Sequence, residues 1–131
     1  MSIIGKYLIT FASFAVIDAI WLGLVARTLY REQIGFLMRS STNWLAAILF
    51  YLFYIVGILF FVVQPALDRG SWSYALLVGF LFGFVTYMTY ELTNLATLEG
   101  WPVLITVVDI LWGTVLGGAV SLLSYTLIRV F

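Results

Sequence analysis

Histidine and cysteine are both absent from this chain. Without cysteine there is no disulfide, no thiolate metal site and no cysteine nucleophile. Without histidine there is no imidazole acid–base catalysis, no imidazole-ligated haem, and no histidine-supported zinc or di-iron centre. No metal or cofactor is expected, and ionisable chemistry is left to Asp, Glu, Tyr, Lys and Arg. Charge is scarce too. Six basic and six acidic residues make up 9% of the 131 residues and cancel to a net charge of zero. A soluble domain carries about 25% charged residues, so this chain could not clothe a surface facing water. No basic run exists, which argues against nucleic acid as a partner.

What fills the chain instead is apolar sequence. The hydrophobic fraction is 64% and the mean hydropathy is +1.14. Four apolar runs are each long enough for the roughly 20 helical residues that cross a hydrocarbon core. They cover about residues 3–26, 43–64, 72–98 and 101–128 of a single transmembrane domain spanning 1–131. The expected fold is all-α, an integral membrane bundle of four transmembrane helices. The opening MSIIGK lacks a basic n-region and a small-residue cleavage site, so the first run reads as a retained helix. Residues 27–42 carry Arg27, Arg31, Glu32 and Arg39 among apolar residues, the pattern of a short interfacial amphipathic helix. Pro65 is expected to stop the second helix and to open a polar turn ending in Gly70 and Ser71. Asn43 fits an N-cap, Gly100 the residue past a helix end, and Pro102 a first helical turn. Trp44, Trp72 and Trp101 fall at span ends, where indoles favour the headgroup layer.

Four spans put both termini on one side, called side A here. Lys6, Arg69 and Arg129 belong to side A, and Arg27, Arg31 and Arg39 to the opposite side B, so the positive-inside count balances. Gly79 with Gly83, and Gly113 with Gly117, form two small-xxx-small patterns that let helices approach closely. They suit packing within the chain, the favoured reading, or contact between copies. Residues 16–23, VIDAIWLG, also echo residues 107–114, VVDILWGT, giving Asp-x-x-Trp twice on antiparallel helices. Such an echo suits either coincidence or an inverted repeat.

Acids inside hydrocarbon cost several kcal/mol each and are rarely accidental. At about 1.5 Å rise per residue, Asp18 lies roughly 22 Å from side A, Glu91 roughly 28 Å from side A, and Asp109 roughly 12 Å from side B. All three therefore fall in the half nearer side B. Helical spacing collects Tyr87, Tyr90, Glu91 and Asn94 on one stripe of the third helix. Asp109 and Trp112 share a stripe on the fourth, and Asp18 and Trp21 a stripe on the first. These eight residues are the candidates for holding a ligand or carrying a proton. Asp109 is expected to hydrogen-bond to Tyr87 or Glu91. The bland alternative makes the acids structural, bonded to Tyr, Thr or Asn, or paired with Arg27 or Arg31 dipping inward.

The runs at residues 14–21 (FAVIDAIW), 49–67 (LFYLFYIVGILFFVVQPAL) and 90–114 (YELTNLATLEGWPVLITVVDILWGT) resemble a bacterial family of small membrane proteins, domain of unknown function 2177. The resemblance covers nearly the whole chain, and its LTNLAT-x-x-GWP run is the most specific part. It implies a four-helix protein of the cell inner membrane. Relatives are often encoded beside lipid-modifying enzymes, which implies a lipid-related role but assigns no catalytic residue.

The leading functional expectation is a protein that binds or modifies a lipid or other amphiphile in an acidic, aromatic-lined cavity. Membrane lipid and an amphiphilic ligand are the expected partners. A proton-coupled carrier of organic cations, an aspartic hydrolase using Asp18 and Asp109 as a dyad, and a non-catalytic subunit of a lipid-modifying complex are the alternatives. A second copy or a lipid-modifying enzyme would then be the protein partner.

Overall fold

Every residue from 1 to 131 is described by the computed structural model, in which 88% of residues are helical and no strand occurs. Four helices are long and apolar enough to cross a membrane. The first combines α1 (Ile3–Trp21), a wide π turn (Leu22–Ala26) and α2 (Arg27–Ile34), and a single 3₁₀ turn (Gly35–Leu37) follows. The second combines α3 (Trp44–Ile58), another π turn (Leu59–Val63) and α4 (Gln64–Arg69). The third is α5 (Trp72–Thr97) and the fourth α6 (Val103–Val130).

Side-chain oxygens start three of these helices. Ser2 accepts from the Gly5 N–H, Asn43 from Ala46 and Ser71 from Tyr74, each satisfying a donor that the first turn leaves free. Pro102 takes the N-cap position of α6 rather than its first turn. Gly70 and Gly100, the only residues with positive φ, end α4 and turn the chain between α5 and α6.

Two helix boundaries differ from the sequence expectation, and a π turn explains each. The first helix does not stop at Ala26. It runs on through the wide turn, so the amphipathic segment is a continuation of α1 and not a separate element. The second helix likewise does not stop at Pro65. The Gln64 N–H reaches back five residues to the Leu59 carbonyl. That extra residue in the turn gives room to a ring that would otherwise meet the preceding turn's carbonyl. The helix ends only at Gly70, where the Gly70 and Ser71 N–H groups close on the Leu67 and Ala66 carbonyls.

The halves of the bundle differ. Toward side A the helices are closed around a core in which Phe14 of α1 meets Tyr54, Ile55, Ile58 and Val62 of the second helix and Leu116 and Val120 of α6. Polar residues finish that end: Lys6 donates to Gln64 (2.7 Å), Gln64 to Asp68 (2.8 Å), and Arg129 to the Tyr125 hydroxyl (2.7 Å). Toward side B the second helix leaves the bundle. No residue from Trp44 to Phe53 is buried, whereas burial is frequent from Tyr54 onward. This splay opens a space between α1–α2 and the start of α3.

α5 and α6 pack most intimately. They form a hairpin about Gly100 in which residues equidistant from that glycine face each other. A Cβ on Gly79 would lie 2.6 Å from the Gly117 carbonyl oxygen and 2.7 Å from Ser121 Oγ. One on Gly83 would collide with the Gly113 carbonyl, and one on Gly113 with the Tyr87 ring. Both small-xxx-small patterns are therefore used against each other inside the chain.

Candidate functional site

The space on the side-B half is a cavity of about 820 Å³. Asp18, Trp21, Leu22 and Ala26 line it from α1 and the first π turn, and Arg27, Tyr30, Arg31 and Ile34 from α2. Trp44, Ala47, Phe50 and Tyr51 of α3 form the opposite wall, and Tyr87, Asp109 and Trp112 close it from α5 and α6. One wall is polar and charged, and the facing α3 wall is almost wholly apolar.

The first π turn builds the polar wall. In a regular helix each residue advances about 100°, so Arg27, Tyr30, Arg31 and Ile34 would project away from the face that carries Asp18, Trp21 and Leu22. One extra residue in the turn rotates everything after it back by about 100°. The two stripes then line one wall.

At the centre Trp21 and Trp112 stack face to face, with ring centroids 4.5 Å apart and planes within 6° of parallel. Tyr30 meets Trp21 edge-on, at 6.5 Å. The two Asp-x-x-Trp runs thus come together on antiparallel helices. Each acid lies three residues before its tryptophan in its own helix, so the acids flank the indole pair on opposite sides, roughly 9 Å apart along the axis. An aspartic dyad needs two carboxyls around one water. Asp109 instead sits beside Glu91, its counterpart across the hairpin.

Glu91 is 1% exposed. Trp101 Nε1 donates to its Oε2 at 3.0 Å, while Oε1 has no hydrogen-bond partner. Tyr30 donates its hydroxyl to Asp109 Oδ1. Glu91 stands beside Asp109 as expected, and the phenol that bonds Asp109 is Tyr30 of the rotated α2 rather than Tyr87. The Tyr30–Asp109 bond is of the kind the structural alternative names, whereas neither arginine pairs with an acid. Asp18 has Trp112 and Asp109 for neighbours, and Glu91 has Asp109 and Trp101. Arg27 and Arg31 line the cavity from exposed positions, one turn apart. The indole Nε1 of Trp112 and the hydroxyl of Tyr54 are buried without a partner.

Of the eight candidates, Asp18, Trp21, Tyr87, Asp109 and Trp112 meet around the main cavity. Tyr90 is 56% exposed and lines a smaller adjoining space of about 330 Å³ with Phe50, Thr86, Tyr87 and Asp109. Glu91 is sealed behind Asp109, and Asn94 lines neither space.

These features lie within residues 3–126, which match the family described as DUF2177, predicted membrane protein. The chain belongs to this family. No curated protein and no solved structure matches it.

Three residues of this DUF2177 member were missed as site residues from sequence. Tyr30 was hidden by the break in helical phase. Tyr51 lies in an all-apolar run whose orientation has no sequence signal. Trp101 was expected among headgroups, yet it is 8% exposed and set edge-on to Tyr90 at 6.0 Å. Trp44 and Trp72, 65% and 60% exposed, do suit the headgroup layer.

Proposed function

We propose that this protein binds a membrane amphiphile in the side-B cavity, with the polar head against the α1–α2 and α6 wall and hydrocarbon along α3. The observation that carries the reading is the two-faced cavity itself. Its volume falls within the roughly 300–1,000 Å³ of small-molecule sites, and it lies beside a helix that has splayed from the bundle. Acids and arginines face an apolar wall, which is the pattern an amphiphile matches. The setting we assign is a bacterial inner membrane, since helical bundles are its usual spanning form and barrels that of outer membranes. A carrier of organic cations is supported less well, because its cargo would meet Arg27 and Arg31 inside the same cavity.

Native mass spectrometry of the full chain purified in mild detergent tests this reading. A lipid should remain bound to the wild type. Ala47→Trp, which fills the cavity from the α3 wall, should release it without lowering the melting temperature. A wild type that retains no lipid, or an Ala47→Trp variant that retains as much, would refute the assignment.

A further inference from the structure

Charges of both signs line this cavity without pairing. Arg27 and Arg31 stand one turn apart on α2 at exposed positions, and Asp18 lies half-buried further along the same continuous helix. The Asp18 carboxyl has the Trp112 indole and Asp109 nearby, and no arginine. Along the helix Asp18 and Arg27 are nine residues apart, roughly 14 Å. The two arginines therefore stand at the side-B end of the cavity and Asp18 at its inner end, beside the stacked Trp21–Trp112 pair, with the Tyr30-bonded Asp109 between them.

Resting on the amphiphile reading above, we infer that the head of the bound lipid is zwitterionic, a phosphodiester joined to an ammonium group. The phosphodiester lies against Arg27 and Arg31, where planar guanidinium groups suit its oxygens. The ammonium reaches Asp18, which supplies the opposite charge, beside indole surface that favours cations. The Trp112 indole stands beside the Asp18 carboxyl and helps to hold it at that wall. A purely anionic head would leave its charge facing Asp18 and Asp109 with no compensating cation. A purely cationic head would face the two arginines. Only a head carrying both signs meets a partner at each end.

The detergent-solubilised full chain is offered an equimolar mixture of dioleoyl-phosphatidylethanolamine, dioleoyl-phosphatidylglycerol and dioleoyl-trimethylammonium-propane, and bound species are counted by native mass spectrometry. The ethanolamine lipid should exceed each of the others by at least about fivefold, a modest free-energy difference. Asp18→Asn, which preserves shape, should bring the glycerol lipid to parity. Arg27→Gln combined with Arg31→Gln should bring the cationic lipid to parity. The arginines are exposed, so this second variant reads out even if Asp18→Asn folds poorly. Excess soluble O-phosphoethanolamine should leave the lipid bound, and displacement by it would overturn a lipid as the occupant. Equal binding of all three lipids, or a preference that neither variant moves, overturns the zwitterion and leaves amphiphile binding standing. Binding of none overturns both.

Discussion

Trp101 follows directly on Gly100, whose φ of +77° turns the chain so that the indole points back under the end of α5. Its N–H donates to Glu91 Oε2, on the acid that pairs with Asp109 across the hairpin. Trp101→Phe keeps most of the ring and removes the donor. It should cost about 1–3 kcal/mol, the usual penalty for orphaning a buried polar group. Trp72→Phe, at an exposed site, should stay within about 0.5 kcal/mol of wild type. Detergent-phase thermal melts compare the two, and equal losses would remove the special role of Trp101. Tyr30 and Asp109 form a second polar link at the same end of the bundle. In a double-mutant cycle with Tyr30→Phe and Asp109→Asn, the coupling should fall within the roughly 0.5–3 kcal/mol found for bonded neighbours. Strict additivity would show that the phenol does not hold that acid.

The α5–α6 hairpin and the first π turn decide where these residues stand. The hairpin brings Gly79 to Ser121, Gly83 to Gly117, Tyr87 to Gly113 and Glu91 to Asp109, each pair one helical turn from the next. Gly83→Ala drives a methyl into the Gly113 carbonyl, 3.2 Å from Gly117 Cα. It should destabilise by about 1–3 kcal/mol, the usual cost of overpacking. Gly23→Ala meets nothing within 4 Å and should be neutral or mildly stabilising. A Gly83→Ala variant that melts with the wild type would contradict the close approach. The π turn is testable by deletion. Removing Gly23 restores a regular helix and rotates α2 by about 100°, so Tyr30 leaves Asp109 and the arginines leave the cavity. Tyr30→Phe should then cost little in the deletion background and clearly more in the wild type. An equal cost in both would mean that the turn does not set the phase.

At the scale of the whole molecule the bundle is closed at one end and splayed at the other, and four crossings put both termini at the closed end. Single cysteines test this without interference, since the native chain has none. With an impermeant thiol reagent, Ser2→Cys and Ser71→Cys should label from one side, and Ser41→Cys and Glu99→Cys from the other. Labelling of positions 2 and 41 from the same side would rule out four crossings.

Composition alone determined the membrane setting, because 9% charge cannot cover a surface in water and four apolar runs match the bilayer's thickness. Helical spacing and rise also placed Asp18, Glu91 and Asp109 in one half, since depth in a membrane-spanning helix is proportional to residue number. The pairing of Glu91 with Asp109 was legible too, as the two are equidistant from Gly100 in a short hairpin. Tertiary structure decided the rest. The segment from Arg27 reads as a separate interfacial helix, and the wide turn at Leu22–Ala26 that joins it to α1 and sets its phase has no clear sequence signature. Pro65 looked like a helix end because its strain was judged on a regular helix, whereas the preceding π turn relieves it. The stacking of Trp21 on Trp112 and the splay of α3 depend on how four apolar surfaces fit together. Hydropathy treats those surfaces as equivalent, so only their packing distinguishes a closed bundle from one with a cavity.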